Sequence, residues 1–176
     1  MASTYSNLKI QLMGTGENSG TWGTITNTNL GIALEEAITG SADVTFSSGT
    51  VTLTLTDSNS SQTARNLRLN LTGTSGGAQN LIVPAIEKVY IVNNGCADAI
   101  TVKNSTGTGV EVPAGATMWV YNNGTNVVNP VNTFKTANFT LTESGGSLLI
   151  KYGATTIVTI SSTGAITAAG DITSLS

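Results

Sequence analysis

Apolar and polar residues alternate along most of the chain between residues 42 and 130, and a period of two is typical of β-strands with one buried face. Val44 and Phe46 begin the alternation, and turn sequences such as Asn122-Asn123-Gly124 interrupt it. Turns that recur about every ten residues are typical of two packed sheets of short strands. We therefore expect residues 42–130 to form an antiparallel β-sandwich or jelly-roll-like body in a mainly β protein.

A helical period replaces this alternation between Thr21 and Ile38. Apolar residues there recur at spacings of three and four, which predicts one short N-terminal helix, and Gly40 is placed to end it in a left-handed turn. Glu35 and Glu36 lie off the apolar stripe. The stripe can pack on the β body of its own chain or on sister helices of an oligomer, and the sequence leaves both open. Its residues are Leu30, Ala33, Leu34, Ala37 and Ile38.

The segments on either side of the body have different patterns. Residues 1–41 are expected to form an anchoring arm followed by the helix. In the arm, Leu8, Ile10 and Leu12 alternate with polar residues, which predicts a short strand that pairs with a distant partner such as another chain. Residues 131–176 have the pattern of a β meander with too few large side chains for its own core. We expect this C-terminal β tail to intertwine with copies of itself.

The composition argues against several classes of function. The 176 residues carry a formal net charge of −3 and only 10% of them are charged, whereas nucleic-acid binding needs a basic surface. There is no histidine, the most common general base and metal ligand, and Cys96 is the only cysteine. No apolar run has the length of a signal peptide or a membrane helix. We expect a protein that is made in the cytoplasm and does not insert into a membrane.

No motif supports catalysis or cofactor binding. Seven basic residues are spread along the β pattern, and we expect them on solvated strand faces. Glu35 and Glu36 are neighbours on the predicted helix and point apart, so they do not form a catalytic pair. The run Asp57-Ser58-Asn59-Ser60-Ser61 lacks the glycine and the glutamate of a calcium loop. We therefore expect no enzyme activity, no catalytic residue, no metal site and no cofactor.

The sequence does supply candidate contact residues. Trp119 and Tyr121 are two positions apart on one predicted strand and therefore share a face, and Tyr90 is expected to lie across from them. These aromatics fit a core or a subunit interface, or a platform that stacks on a sugar ring. The residues expected at a particle or subunit interface are Leu8, Ile10, Leu12, Trp22, Leu30, Leu34 and Ile38.

Several passages resemble bacteriophage tail fibres and related virion appendage proteins. The run Gly20-Thr21-Trp22-Gly23, followed by Asn27-Thr28-Asn29-Leu30 and Glu35-Glu36-Ala37-Ile38, is similar to a signature near the N-termini of many phage fibre proteins. Leu148-Leu149-Ile150-Lys151-Tyr152-Gly153 and Gly170-Asp171-Ile172-Thr173 are similar to segments of fibre shafts. Two further runs resemble small phage virion proteins: Asn80-Leu81-Ile82-Val83-Pro84 and Val112-Pro113-Ala114-Gly115.

The resemblance implies a homotrimer that attaches to a phage particle through its N-terminal arm and helix and has no catalytic activity. It implies a location in the virion, other tail or capsid proteins as partners, and room for a contact with a host-surface glycan. A tail fibre or a short fibre-like adaptor is the first interpretation. The polar end of the chain is unlike a receptor-binding tip, so a capsid decoration protein or head fibre is the alternative. A carbohydrate-binding module is a further one.

Overall fold

The computed structural model describes residues 3–131 and 133–170 of the chain. Within them the protein is mainly β with one helical segment near the N-terminus, which confirms the predicted fold class at that level. The chain divides into two compact units, Met1–Pro130 and Val131–Ser176. The last part of the predicted tail, residues 171–176, lies outside the described residues.

The first unit begins with a small hairpin and the helix. Strand β1 (Thr4–Tyr5) pairs antiparallel with β2 (Gln11–Leu12). Helix α1 (Trp22–Thr28) continues through a π-helical turn (Asn29–Leu34) into α2 (Glu35–Ile38). The helix lies where its period predicts it.

The arm differs from the strand that was predicted across Leu8, Ile10 and Leu12. Lys9 has a φ of 62°, and its N–H donates to the Ser6 carbonyl at 2.8 Å. Leu8 and Lys9 therefore belong to the turn between β1 and β2. The strand that follows is short, and its partner is the neighbouring strand of the same chain rather than a distant one.

Nine strands, β3 to β11, make two sheets behind the helix. Their order is β11-β10-β7-β5-β3 in the first sheet and β4-β6-β8-β9 in the second. A 3₁₀ turn (Thr63–Arg65) precedes β5. The strand bounds are β3 Ser41–Ser47, β4 Val51–Thr52, β5 Arg68–Thr74, β6 Gln79–Ile82, β7 Glu87–Asn94, β8 Ile100–Lys103, β9 Gly109–Val112, β10 Thr117–Asn123 and β11 Val127–Val128.

The strand directions correct the predicted antiparallel sandwich. β3, β5 and β7 are parallel to one another, and so are β4, β6 and β8, because the chain passes to the other sheet after each strand and then returns. Only β9, β10 and β11 run antiparallel to their neighbours. The body is thus built from two sheets between which the chain alternates, with parallel strands first and antiparallel strands at its C-terminal end. Alternation reports which face of a strand is buried and not its direction, so the sequence pattern did not distinguish the two arrangements.

The core lies between the two sheets and contains the inward residues of the alternating pattern. The buried amide of Asn94 donates to the carbonyls of Asp98 and Val112, at 2.9 Å in each case. Asn122 at the β10–β11 hairpin donates to the Pro84 carbonyl at 2.7 Å. These asparagines tie the corners between strands to the core. The apolar core residues are Val44, Phe46, Leu69, Leu71, Leu81, Val83, Tyr90, Val92, Cys96, Ile100, Val102, Val112, Val120 and Val127.

The second unit is a single antiparallel sheet whose five strands pair in chain order, as the predicted meander requires. Its strands alternate in sequence, yet none of its described residues is buried. The strand bounds are β12 Thr133–Lys135, β13 Phe139–Ser144, β14 Ser147–Tyr152, β15 Thr155–Ile160 and β16 Ile166–Ala168.

Candidate functional site

The helix turns its large apolar side chains away from the body. Ala33 is fully buried and Asn29 is 8% exposed, whereas Trp22 is 64%, Leu30 56% and Ile38 59% exposed. Leu34 is also exposed. The sequence left open whether the apolar stripe meets the sheet of its own chain, and the structure divides it: Ala33 is buried, whereas the larger side chains are exposed. We call Trp22, Leu30, Leu34 and Ile38 the exposed stripe.

A polar contact fixes the other face of the helix. The Asn29 side chain donates from Nδ2 to the Gln11 carbonyl at 2.8 Å, and its Oδ1 accepts the Gln11 N–H at 3.1 Å. The Asn29 side chain therefore makes the two backbone hydrogen bonds to Gln11 that a neighbouring strand would make beside β2. Leu12, the next residue, is 51% exposed, while Leu8 and Ile10 are half-buried.

Replacing Asn29 by alanine is expected to lower the free energy of unfolding by about 1–2 kcal/mol, because two hydrogen bonds are lost and both Gln11 backbone groups lose their partner. The arm should also become more sensitive to proteases, because this contact holds it to the helix. Asn27→Ala is the matched control, since Asn27 is exposed on the same helix. Denaturant titration and limited proteolysis measure both effects, and equal changes in the two variants would contradict the role of Asn29.

Arg65 joins the arm, the helix and a body loop. Its side chain is 0% exposed. Nε donates to the Leu8 carbonyl at 2.8 Å, and the two terminal nitrogens donate to the carbonyls of Ser60 at 2.9 Å and Ser58 at 2.8 Å. One of them also lies 3.1 Å from the Glu36 carboxylate. The expectation that all basic residues lie on solvated faces is therefore wrong for Arg65.

Glu36 completes this cluster from the helix. It accepts hydrogen bonds from the Ser61 hydroxyl and, at 3.2 Å, from the Gln62 N–H. Burial lowers the pKa of the Arg65 guanidinium, and the neighbouring Glu36 carboxylate opposes that shift. Glu35 is exposed. The two glutamates therefore differ in their surroundings, and Glu36 is a structural ion-pair partner.

An open depression of about 490 Å³ lies beside the helix. Its polar lining residues include Glu35, Glu36 and Ser61, and Ile32 is an apolar one. Two of these groups are already bonded to each other. Within residues 3–131 and 133–170 no group of three or more His, Cys, Asp or Glu side chains is placed to hold a metal ion.

The three predicted aromatics do not share a surface. Trp119 is 54% exposed on β10 and Tyr121 is half-buried two residues on. Tyr90 is fully buried on the core side of β7, where its hydroxyl donates to the Ala64 carbonyl at 3.0 Å. The prediction that Tyr90 faces the other two is wrong, because even and odd positions of a strand point to opposite faces. Ile91 lies beside Trp119 in the sheet.

A second apolar surface, which the list of candidate residues from the sequence did not include, lies on the C-terminal sheet. Phe139 and Tyr152 pack edge to face with ring centroids 5.3 Å apart, and the pairing of Leu141 with Ile150 continues the same side of the sheet. The signal was present in the alternation of large apolar and polar residues along β13 and β14. We call this side the sheet face. Its residues are Phe134, Phe139, Leu141, Leu148, Ile150, Tyr152, Val158, Ile160, Ile166 and Ala168.

Comparison with models of protein families, with curated proteins and with solved structures finds no match to this chain. No helix among the described residues has the length and apolar character to cross a membrane. The functional proposal therefore depends on the geometry of the chain, and the exposed stripe and the sheet face are the candidate sites.

Proposed function

We propose that the protein is a structural component of a bacteriophage particle, a tail fibre or short fibre-like adaptor that assembles as a homotrimer and has no catalytic role. The observation that carries the proposal is the exposed stripe of the helix. Monomeric proteins seldom leave large contiguous apolar patches in water, and such patches mark contacts with other proteins. The stripe lies in the N-terminal run that resembles phage fibre proteins.

The N-terminal unit has the properties of an attachment element. Asn29 holds the helix to the arm, and Arg65 holds both to the body, so the helix presents its apolar side without having to unfold. The exposed side chains of Trp22 and Leu30 can enter a groove of another virion protein, as amphipathic helices do in other complexes. Leu12 lies on the arm, and its exposed side chain adds to the apolar surface of the same unit.

Particles of the phage that encodes this chain test the proposal. We expect the wild-type chain in purified particles, and we expect Leu30→Gln/Leu34→Gln to lower its copy number by about tenfold or more because the apolar contact is lost. Glu35→Gln is the matched control, since Glu35 is exposed on the same helix. Quantitative mass spectrometry of the particles measures the copy number.

Absence of the wild-type chain from purified particles would overturn the virion assignment. Equal incorporation of Leu30→Gln/Leu34→Gln and Glu35→Gln would overturn attachment through the stripe. Images of the particles separate the two structural alternatives, because a tail fibre and a capsid decoration protein or head fibre occupy different places.

The mass in solution tests the trimer. The chain has a mass of 17.9 kDa, and we expect light scattering to give about three times that value, as a closed cyclic trimer requires. A species of 17.9 kDa at all concentrations would overturn the assembly.

A glycan contact is a second candidate function, favoured by the exposure of Trp119 beside Tyr121 on one face of β10. An exposed tryptophan next to a second aromatic ring can stack on a sugar. Trp119→Ala is expected to abolish binding on a glycan array without a change in the melting temperature, because its side chain is outside the core. No binding by the wild-type protein would exclude this candidate.

A further inference from the structure

The C-terminal sheet has two chemically different sides. One row across the strands contains Phe134, Leu141, Ile150, Val158 and Ala168, all on the sheet face. The sheet face therefore continues without a break over all five strands.

The opposite side of the same sheet is polar apart from Leu149, which pairs with Thr142 and Thr159. Lys135, Thr140 and Lys151 form one row there, and Thr159 lies opposite Thr167 in another. Both lysines of the sheet lie on this side, whereas the sheet face carries a single charged residue, Glu143, which pairs with Leu148. Such a division is the pattern of a sheet that is covered on one face and solvated on the other.

A single sheet of this kind has no interior. None of its described residues is buried, and a folded chain needs buried apolar surface to offset the loss of conformational freedom. Cross-strand pairs alone give a short-stranded sheet marginal stability. The sheet face therefore requires a second apolar surface.

The size of the sheet face matches a protein contact. With about 200 Å² for a whole side chain of this size, the most exposed residues present roughly 600 Å² to solvent, and the half-buried Ile150, Val158 and Ile160 add to this area. Stable protein contacts bury about 800 Å² on each partner. The exposed fractions are Phe134 66%, Phe139 49%, Leu141 38%, Leu148 39%, Tyr152 54% and Ile166 59%.

The charges indicate what kind of surface fits. The sheet face has no basic residue, so an acidic partner or an anionic lipid surface finds no charge to pair with, and both lysines lie on the other side. A near-neutral apolar surface pairs best with one of the same character. A second copy of this chain carries such a surface, and self-contacts of this kind are the usual origin of symmetric oligomers.

We propose that the sheet face is the contact between copies of this chain, so that the C-terminal sheet acquires its core only when the copies associate. This inference rests on the assembly part of the proposed function and identifies the surface responsible. The helix stripe then stays available for the virion partner.

Two adjacent residues of β15 allow a matched test on the full chain. Val158 lies on the sheet face and Thr159 on the opposite side, and both are half-buried. Val158→Lys should raise the concentration at which the oligomer dissociates by about 100-fold or more, because like charges meet in an apolar contact. Thr159→Lys should change it by less than about threefold, since the added charge lies on the side away from the contact. Light scattering over a dilution series measures both.

A second measurement needs no variant. On dilution of the wild-type protein, amide protection against hydrogen exchange in β12–β16 should fall at the same concentration as the mass, while β3–β11 stay protected by their own core. Protection of β12–β16 that does not depend on concentration would overturn the proposal, even where Val158→Lys fails to fold.

The outcomes separate this proposal from the proposed function. If the wild-type protein is a trimer that stays intact in Val158→Lys but dissociates in Leu30→Gln/Leu34→Gln, the sheet-face contact is overturned and the trimer is kept. A dimer that Val158→Lys dissociates would support the sheet-face contact and overturn the trimer. A monomer at all concentrations would overturn both.

Discussion

Replacing Arg65 by lysine is expected to lower the free energy of unfolding by about 3 kcal/mol, although the substitution keeps the positive charge. The guanidinium of Arg65 donates in four directions at once, to the carbonyls of Leu8, Ser58 and Ser60 and to the Glu36 carboxylate. A lysine ammonium is a single point at the end of a flexible stem and cannot reach acceptors spread around a planar fork. The acceptors that it leaves behind are partly buried, and each one that then lacks a donor is costly.

Arg68→Lys is the matched control for this prediction. Arg68 is exposed on β5, three residues along the chain, and a surface substitution of this kind should change stability by less than about 0.5 kcal/mol. Denaturant titration measures both variants. A loss below 1 kcal/mol for Arg65→Lys would mean that the carbonyls find other donors, which would contradict the joining role given to Arg65.

Glu36→Gln tests the same cluster from the helix. The neutral amide leaves the buried Arg65 guanidinium without its anion, so the variant should lose about 2–3 kcal/mol, because an uncompensated buried charge is unfavourable. Glu35→Gln serves as the control, since Glu35 is exposed. The two glutamates look alike in the sequence, and the structure separates them by what each one touches.

The helix shows how far a periodic pattern can be interpreted. Its position and its apolar stripe follow from the spacing of Leu30, Leu34 and Ile38, and the structure has the helix there. Which side meets the body does not follow from that spacing. The arm offers a polar site, where Asn29 bonds the Gln11 backbone, and Ala33, also buried on the helix, is small. A stripe that faces away from its own chain has the same pattern as one that faces inward.

The strands give a related result. Alternation correctly predicts that Leu69 and Leu71 of β5 enter the core, whereas on β7 the buried positions of Tyr90 and Lys88 were not predicted. The parallel pairing of these strands depends on connections that cross between sheets, and turn-rich sequence is equally compatible with hairpins and with such corners. Contacts between residues distant in sequence decide the direction.

Buried charge is the feature that sequence predicts least well. Arg65 and Lys88 occur among residues that look like ordinary solvated strand and turn positions, and both are buried. Arg65 finds its partners in three separate segments, the arm, the helix and a body loop. No local sequence pattern therefore indicates that Arg65 is buried. Lys88 lies on the core side of β7 in line with Tyr90 and Val92. Its spacing of two and four residues from these side chains was the signal in the sequence that Lys88 faces the core.

Lys88→Met is expected to raise the free energy of unfolding at pH 7 by about 2 kcal/mol, because a buried charge is replaced by an apolar side chain of similar length. Lys88 is 8% exposed, and neither ion pair found among residues 3–131 and 133–170 includes it. Its ammonium lies 4.8 Å from the centre of the Tyr90 ring. Loss of that cation–π contact offsets only part of the gain, at about 0.5–2 kcal/mol.

The wild-type protein should therefore become more stable as the pH rises. Burial lowers the pKa of Lys88 from its ordinary value to about 8, whereas the unfolded chain keeps a pKa near 10.4. Below pH 8 both states are protonated and the folded state contains the buried charge. Between these two pKa values the unfolded state binds more protons, so the free energy of unfolding increases, by about 2 kcal/mol from pH 7 to 9.5.

Denaturant titrations at pH 7.0, 8.0, 9.0 and 9.5 would measure this slope. Lys88→Met should abolish the rise, while Lys103→Met, at a half-buried position of β8, should retain it. Burial also raises the pKa of Tyr90 above its ordinary value, and ionisation of that tyrosine in the unfolded chain opposes folding above about pH 10. The increase in the free energy of unfolding that is due to Lys88 can therefore be separated from the effect of Tyr90 only below about pH 10. Burial also raises the pKa of the Cys96 thiol, which opposes the rise above about pH 8.5. A wild-type profile that runs parallel to that of Lys88→Met up to pH 9.5 would therefore contradict the burial of a charged lysine in this core.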